Sequence, residues 1–547
     1  MKKWKILSQT NQCSHENIQK LLLKNRGFVK KVDVEEFLNT PSIETYVKKL
    51  PLEFRQSLKK AKDIIIRAIE DKKPIIIYGD YDSDGVNATA ILYSTIKDEL
   101  KYKNVSYFIP NRFDHGYGLT IKALDVVVST QKKENLPLVV TVDTGITAFE
   151  EVSYLKSLGY QIIITDHHQE PEVLPPADCI VWCDEISGAG ISYLLSRVLG
   201  SKNKESIALA ALATVTDLYP VVGINRSIVK SGLKVLNVSP PLGLKKLIKV
   251  SGKEGFEVTT YDLGWVLGPR LNASGRLKDA NVSLELLLEK NEKRAEALAA
   301  KLNESNIARQ DKTLEMYGIA SIFDESNLPR ILFSRDKNYH EGIIGLVAAK
   351  LSQKYYRPAV VISLSEEYGK GSVRSVSGVN IIEMLRNFED LFESLGGHPM
   401  AAGFTIKIEN IPVLEEKMLE LAPSIISDEL LIPVLDIDLK MPIGCADLSL
   451  LKEIEKLKPF GLGNSEPVFM SESLGVTKID KMGKENQHVR LTLYDGKKFY
   501  KAVWFNSAGL VSNLNLGAKI DIAYTLKRNE YNGSIYVDLV VRDIGPS

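Results

Sequence analysis

The sequence is poor in several features that would fix its class at once. It has four cysteines in 547 residues, Cys13, Cys179, Cys183 and Cys445, too few and too scattered for a disulfide framework. Cys179 and Cys183 fall in CIVWC, where buried, inert strand thiols are expected rather than a metal pair. No apolar run approaches the length of a membrane span. The opening MKKWKILSQTNQ has lysines but lacks the apolar stretch of an export signal. A cytoplasmic protein without membrane association is therefore expected. Charge of one sign is also lacking. The 70 Lys and Arg face 69 Asp and Glu, a net charge of +1, which excludes a grossly basic protein. Any nucleic-acid surface must then be a local groove. There is no internal repeat and no low-complexity tract. What remains, 44% hydrophobic and 25% charged, is a globular composition, and the length calls for several domains rather than one core.

Residues 1–50 read as a polar leader with short helical patterns. Apolar positions recur at helical spacing from Leu52 to Asp71. Strand-like segments then alternate with helical ones: IIIYG, VSYFIP, LVVTVDTG, QIIITDHH and CIVWCD. That alternation predicts βαβ units on a parallel sheet over 51–239. Residues 240–325 are expected to form a helical connector that contains GPRLNASGR (268–276) and ends in a long helical stretch from Ser283 to about Phe323. ILFS and PAVVISL mark a second α/β region over 326–425. From 426 to 547, short alternating strands with hairpin signals, including Asn532-Gly533, predict an all-β barrel or sandwich.

The chemistry concentrates at strand ends. In IIIYGDYDSDG (75–85) a β-branched run stops at Asp80, Asp82 and Asp84. Three carboxylates on alternate residues repel one another and lose hydration, so a strong positive charge must compensate them, and a divalent cation is the usual one. Asp143 ends LVVTVDTG, Asp166-His167-His168 close QIIITDHH, and Asp217 follows an apolar helix in LATVTDLYP. In an open parallel sheet such ends share one rim. Mixed carboxylate and imidazole ligation suits Mn²⁺, tolerates Mg²⁺, and lacks the thiolates of structural zinc sites. So many acidic groups could hold two ions about 3.5–4 Å apart, the arrangement used for in-line attack on phosphate. Asp-x-Asp-x-Asp-Gly also opens an EF-hand loop, but the twelfth position from Asp80 is Ile91 instead of Glu, and a strand precedes it. The calcium reading fails. A solvated loop or helix cap remains the bland alternative for any one Asp, though not for six aspartates and two histidines together.

YGDYDSDG (78–85) together with TDHHQ (165–169) resembles the DHH phosphoesterase superfamily. PNRFDHGYGL, TDLYPVVGINR, GPRLNASGR, EGIIGLVAAKLSQKYYRPAVV, GSVRS, GGHPMAAGF and KPFGLGNSEPVF follow in order. The ordered set resembles the RecJ family of bacterial single-stranded-DNA-specific exonucleases over nearly the whole length. The resemblance implies a parallel-sheet DHH domain and an α/β DHH-associated domain joined by a long helix, with a C-terminal all-β OB-fold. It implies Asp82, Asp84, Asp143, His167 and Asp217 as direct metal ligands, with Asp80 joining or orienting them. Asp166 would be a partner of a ligand histidine, and His168 would lie near the scissile phosphate. Two departures leave these candidates intact: Ser83 stands where a small apolar residue is more usual, and SGAGISYLLSR (187–197) is a loose version of its motif.

On the substrate side, Arg112, Arg270, Arg276 and Arg374 fall in or beside expected turns, where guanidinium forks can grip phosphate. Motif context supports Arg276 and Arg374 more than the other two. The resemblance implies that Ser372 and His398, with Asn272, complete a phosphate-binding pocket for the terminal nucleotide, and Gly396 and Gly397 would let backbone approach closely. KKFYKAVWF (497–505) interleaves Lys with aromatic residues, as an OB-fold surface for single-stranded nucleic acid would. About half of those aromatics should be core by strand alternation. The expected activity is metal-dependent hydrolysis of single-stranded DNA to 5′-mononucleotides, and the resemblance implies its 5′→3′ direction and a role in repair and recombination. A single-stranded-DNA-binding protein and a helicase are partners the family implies. Two alternatives stand beside it: a phosphodiesterase for short oligonucleotides or cyclic dinucleotides, and a non-catalytic replication scaffold.

Overall fold

Five short apolar segments form a wholly parallel sheet, ordered Val105–Phe108, Ile75–Gly79, Leu138–Val142, Gln161–Asp166, Cys179–Trp182. The protein is seen in a computed structural model that describes residues 2–112, 114–116, 118–131, 135–277, 280–511, 514–531 and 533–546. Every residue of Ile75–Gly79 and Leu138–Val142 is buried, as parallel strands covered on both faces require. Ile76, Tyr78, Val139, Ile162 and Ile164 pack under the helices Ile121–Ser129 and Phe149–Ser157. The helices Ser83–Ser94 and Gly188–Val198 contact the same sheet. Numbered within the sheet, the strand order is 2-1-3-4-5. The chain therefore reverses direction between Ile75–Gly79 and Leu138–Val142. A topological switch point of this kind opens a crevice beyond the strand C-termini, where Asp80 and Asp143 begin.

The expected long helix is two helices. Asn281–Leu288 ends at Glu289 in extended backbone, and the Asn291 side chain then caps a new helix by accepting from Arg294 N. That second helix, Glu292–Ala320, has 29 residues and is about 43 Å long. It leads to a mixed sheet ordered Phe392–His398, Ala401–Lys407, Tyr368–Arg374, Ala359–Leu364, Leu332–Asp336. Alternation divides Ala359–Leu364 between two cores. Ala359 and Val361 face the helix Ile344–Tyr355, whereas Val360 and Ile362 face Ile381–Arg386 and Ile411–Ile425.

The C-terminal strands close into a five-stranded barrel. Phe469–Met482 pairs with both His488–Tyr494 and Lys519–Tyr531, and Phe499–Trp504 joins Ser534–Pro546 in parallel. Strands run up to either side of the expected Asn532-Gly533 turn. Gly533 has φ +74°, and Asn532 lies outside the described residues. Among the described residues no helix is long and apolar enough to cross a membrane.

By contact the chain forms two compact units, one of Met1–Tyr46, Pro220–Ser227 and Val434–Ser547, the other of Val47–Tyr219 and Ile228–Pro433. The leader reading of 1–50 is therefore corrected. Lys3–Ile6 pairs in parallel with Val434–Ile437, and Ile18, Leu22, Leu23 and Phe37 are buried in the same core as the barrel. Its polar composition hid a strand edge and one apolar helix stripe. Cys13 and Cys445 form a disulfide within this unit, a pairing across 432 residues that their spacing did not suggest. Cys179 and Cys183 are free and buried, as expected.

The unit also contains a clasp. Arg226 is fully buried and donates to Phe37 O (3.1 Å), Lys458 O (2.7 Å) and Pro459 O (3.2 Å), with its guanidinium over the Phe37 ring. Val221 N donates to Leu462 O (2.7 Å). TDLYPVVGINR and KPFGLGNSEPVF thus serve, from Pro220 onward, to hold chain segments together. Arg226→Met removes the donor from three buried carbonyls at once. It is expected to lower the unfolding free energy by about 3 kcal/mol or more, read as a lower urea midpoint.

Candidate active site

The site grows from the ends of three adjacent strands. After Gly79 the chain turns sharply, and a Cβ on Gly85 would sit 2.6 Å from Asp80 O, so only glycine fits there. Asp82 caps the helix Ser83–Ser94, its Oδ1 accepting from Asp84 N (2.8 Å) and Gly85 N (3.1 Å). Asp84 lies on the first turn of that helix, and its carboxylate meets the start of another. Oδ2 accepts from Gly188 N and Oδ1 from Ala189 N, both at 2.7 Å. A carboxylate at a helix N-terminus faces orphan N–H groups and the positive end of the dipole. Asp143 takes up left-handed backbone (φ 64°) immediately after its strand. Asp217 follows the helix Ser206–Thr216.

These groups converge. His167 Nε2 lies 2.8 Å from Asp143 Oδ1, 3.6 Å from Asp84 Oδ2 and 3.7 Å from Asp217 Oδ2. Ligand atoms of Asp84, His167 and Asp217 fall within 4.8 Å of one another, and so do those of Asp80, Asp82 and Asp143. Burial and the neighbouring carboxylates push Asp80 up to about 8, Asp84 to about 7 and Asp217 to about 9, and raise Asp143 well above the carboxylate range. Asp80 Oδ1 is buried without a hydrogen-bond partner. Acidic groups in this state fit a divalent cation, which would relieve the repulsion and satisfy that oxygen. Burial, with the charge of His168, lowers His167 to about 4. Its imidazole is then neutral, the form that ligates metal.

Asp166 behaves differently. Its Oδ1 accepts from His167 N (2.7 Å), His168 N (3.2 Å) and His168 Nδ1 (2.7 Å), and its Oδ2 from Ile146 N (2.9 Å). Burial raises it, but the His168 bond and charge and these N–H donors hold it below its ordinary value. Burial lowers His168, yet Asp166 outweighs that and raises it to about 9.

Asp80, Asp82, Asp166 and His168 open onto a cleft of about 1060 Å³ within the second unit. The lining also includes Arg112, Asn272, Arg276, Ser372, Arg374, Gly396, Gly397 and His398. Arg374 Nη1 donates to Ser372 Oγ (3.2 Å), and Arg112 stands over the Tyr81 ring at 5.7 Å. Burial and the cations Arg112, Arg309 and Arg374 lower Arg276 to about 10, which leaves it charged. Asn272 does more than line the cleft, because its Oδ1 accepts from Ser83 N (2.7 Å) and so anchors the carboxylate loop.

Two expectations need correction. Arg270 does not reach the cleft: its Nε donates to Asn303 Oδ1 (3.0 Å) and its Nη1 to Val266 O (2.7 Å). Arg374 ends a strand shortly before the turn at Ser377-Gly378, whereas both Arg270 and Arg276 lie in the helix Gly268–Leu277 instead of a turn. Two glycines and a proline made the segment look like a loop, but tertiary packing outweighs that propensity. Of PNRFDHGYGL, Phe113 and Tyr117 lie outside the described residues.

Several positioning residues carried no sequence signal of their role. Gly188 and Ala189 act through backbone N–H groups. Tyr219 OH meets His167 Nδ1 at 2.5 Å, fixing the ring with Nε2 toward the carboxylates. Tyr219→Phe is expected to weaken Mn²⁺ binding about 10–100-fold, as loss of a ligand's outer partner typically does. Calorimetric titration with Mn²⁺ checks it, and an unchanged affinity would leave Tyr219 a packing residue only.

Three family models match in the order of the folds: the DHH family N-terminal domain over 74–216, the DHHA1 domain over 328–422 and the RecJ OB domain over 437–543. The single-stranded-DNA-specific exonuclease RecJ of Bacillus subtilis is 34% identical over 557 aligned residues, covering 99% of this chain and 70% of that one. The chain belongs to the RecJ family. Among solved structures, RecJ of Thermus thermophilus in complex with Mn²⁺ superposes with a TM-score of 0.83 at 26% identity, covering 100% of this chain and 80% of that one. Its complex with Mg²⁺ gives 0.77 at 25% identity, covering 100% and 79%. Membership in the RecJ family accounts for the combination of DHH sheet, DHHA1 sheet and closed barrel. The acidic and imidazole groups clustered in this chain are of the kind that could hold a divalent cation.

Proposed function

We infer that this RecJ-family chain is a metal-dependent exonuclease that hydrolyses single-stranded DNA, working 5′→3′ and releasing 5′-mononucleotides. One observation carries the reading. Two ligand triads, Asp80/Asp82/Asp143 and Asp84/His167/Asp217, adjoin a cleft whose lining also holds Arg276, Arg374, Ser372 and His398.

The two triads would hold one ion each, supplying Lewis-acid charge at the phosphoryl oxygens and a nucleophile from water at neutral pH. The protein's own part is placement. Asp166 and Tyr219 orient the two imidazoles, and the helix start at Gly188 fixes Asp84. His168, lining the cleft, offers an imidazole N–H to a phosphate oxygen. Arg276 and Arg374 supply fixed guanidinium charge for the terminal phosphates, with little reorganisation on binding. On the barrel, Phe499 and Phe505 are exposed while Trp504 is buried, which leaves two rings suited to stacking bases.

A small-substrate phosphodiesterase would leave the barrel without a role, and a scaffold would not need every acidic ligand. A cytoplasmic location, a repair role, and a single-stranded-DNA-binding protein and a helicase as partners are further expectations of the same reading. The test is digestion of end-labelled single- and double-stranded DNA with and without Mn²⁺. Mononucleotides released from the 5′ end of the single strand, only with metal, are expected. Release from a duplex, or without metal, would overturn the reading.

A further inference from the structure

Trp265 is 73% exposed, the most exposed of the Phe, Tyr and Trp side chains among the described residues. Tyr261, one turn earlier, is 63% exposed, and the two rings stack with centroids 6.4 Å apart and planes 27° from parallel. An apolar residue exposed singly needs no explanation, whereas an ordered pair of exposed rings does. Burial of the pair's helix shows which way it faces. From Thr260 to Leu277 the backbone is helical throughout, with one π-helical turn at Leu263–Leu267. Leu263, Leu267 and Leu271 form its buried stripe. Besides Thr260, Gly264, Val266, Arg270 and Leu277, the residues that are not buried include five at Tyr261, Trp265, Pro269, Asn272 and Arg276. Steps of four, four, three and four put these five on one helix face.

That face is continuous with the cleft, since Asn272 and Arg276 line it. At 1.5 Å per residue, Trp265 stands about 10 Å along the helix from Asn272 and about 16 Å from Arg276. Ten ångströms is roughly three nucleotide steps at stacked spacing. The stripe carries one arginine and no carboxylate, which suits a polyanion better than a cationic partner. Two flat rings with open faces suit nucleobases, because every base has a π-face.

We propose that Tyr261 and Trp265 form a stacking platform for the bases of single-stranded DNA a few nucleotides inside the end held in the cleft. The platform would make grip on the substrate depend on its length. It rests on the exonuclease reading above, and the test separates the two.

Affinities are measured in EDTA, so that nothing is cleaved, for a 5′-phosphorylated dinucleotide of thymidine and for a 15-nucleotide oligothymidylate. The first spans the cleft alone and the second reaches the platform. Trp265→Ala is expected to weaken binding of the 15-mer about tenfold, within the usual range for one lost base–aromatic stack, and that of the dinucleotide less than twofold. Tyr261→Ala should act in the same direction, and Trp265→Phe should restore most of the loss. An unchanged 15-mer affinity in Trp265→Ala overturns the platform and leaves the pair a surface for something other than DNA. Equal loss at both lengths overturns it too, because Trp265 would then act through the position of Asn272 and Arg276. If the unaltered protein binds neither oligonucleotide, the exonuclease reading fails and the platform with it.

Discussion

Asp82→Asn is expected to lower Mn²⁺-dependent hydrolysis by about 10³-fold or more, while the fold and the binding of single-stranded DNA persist. The choice of asparagine matters. Asp82 Oδ1 caps the helix Ser83–Ser94 through Asp84 N and Gly85 N, and asparagine caps as well as aspartate. The substitution therefore removes one negative charge and one metal ligand without freeing the helix start. Loss of one fixed electrostatic contact at a reacting centre costs about 10²–10³ in rate, and displacing a cation that generates the nucleophile should cost at least the upper figure. A second measurement separates a ligand from a structural residue. A cation that binds only the folded protein raises its melting temperature by mass action. Added Mn²⁺ should raise the Tm of Asp82→Asn less than that of the unaltered protein. Without metal the variant should be no less stable, because Asp80, Asp84, Asp143 and Asp217 lose a like-charged neighbour. Normal turnover would remove Asp82 from the ligand set.

The carboxylates and histidines of this site were legible in the sequence because strand ends and charge crowding are properties of residue identity. An aspartate after four buried β-branched residues has few bland explanations, and the rim on which Asp80, Asp143 and His167 meet follows from parallel strand order alone. What holds those groups was not legible. SGAGISYLLSR reads as a poor match to its motif, yet its Gly188 and Ala189 N–H groups fix Asp84, and an N–H carries no side-chain signature. Arg270 and Arg276 are six residues apart in one motif. One turns toward Asn303 and the other lines the cleft, a difference set by helix phase. The leader failed for another reason. Lys3–Ile6 has a partner more than 400 residues away, and strand pairing at that separation leaves no local trace. The same pairing means that truncating the chain before the barrel would not test the barrel by itself. It would strip the cover from Ile18, Leu22, Leu23 and Phe37, so binding and folding would fail together. Single substitutions at the exposed Phe499 or Phe505 avoid that.

Gly188→Ala should be nearly as damaging as loss of a ligand, although Gly188 has no side chain to offer a metal or a substrate. A methyl group there would sit 2.5 Å from Asp143 Oδ1, 2.6 Å from its Cβ and 2.8 Å from its Cγ. Contacts this short cannot be held, so either Asp143 or the helix start must move. Asp143 has little room to yield. Its backbone is already left-handed, its N donates to Thr165 O (2.9 Å), and its carboxylate meets His167 Nε2. If the helix moves instead, the two N–H groups that hold Asp84 move with it. Either response displaces a ligand by about 1 Å, and a misplacement of that size can cost about 10² in rate. Overpacking alone should destabilise the fold by about 1–3 kcal/mol, so the variant is expected to fold with a lowered Tm. Mn²⁺ affinity should fall together with the rate, while affinity for a single strand in EDTA should stay close to the original because Arg276 and Arg374 are untouched. Retained Mn²⁺ affinity and turnover would mean that the helix start can shift without taking Asp84 along, and the assignment of Gly188 as the wall behind Asp143 would have to be withdrawn.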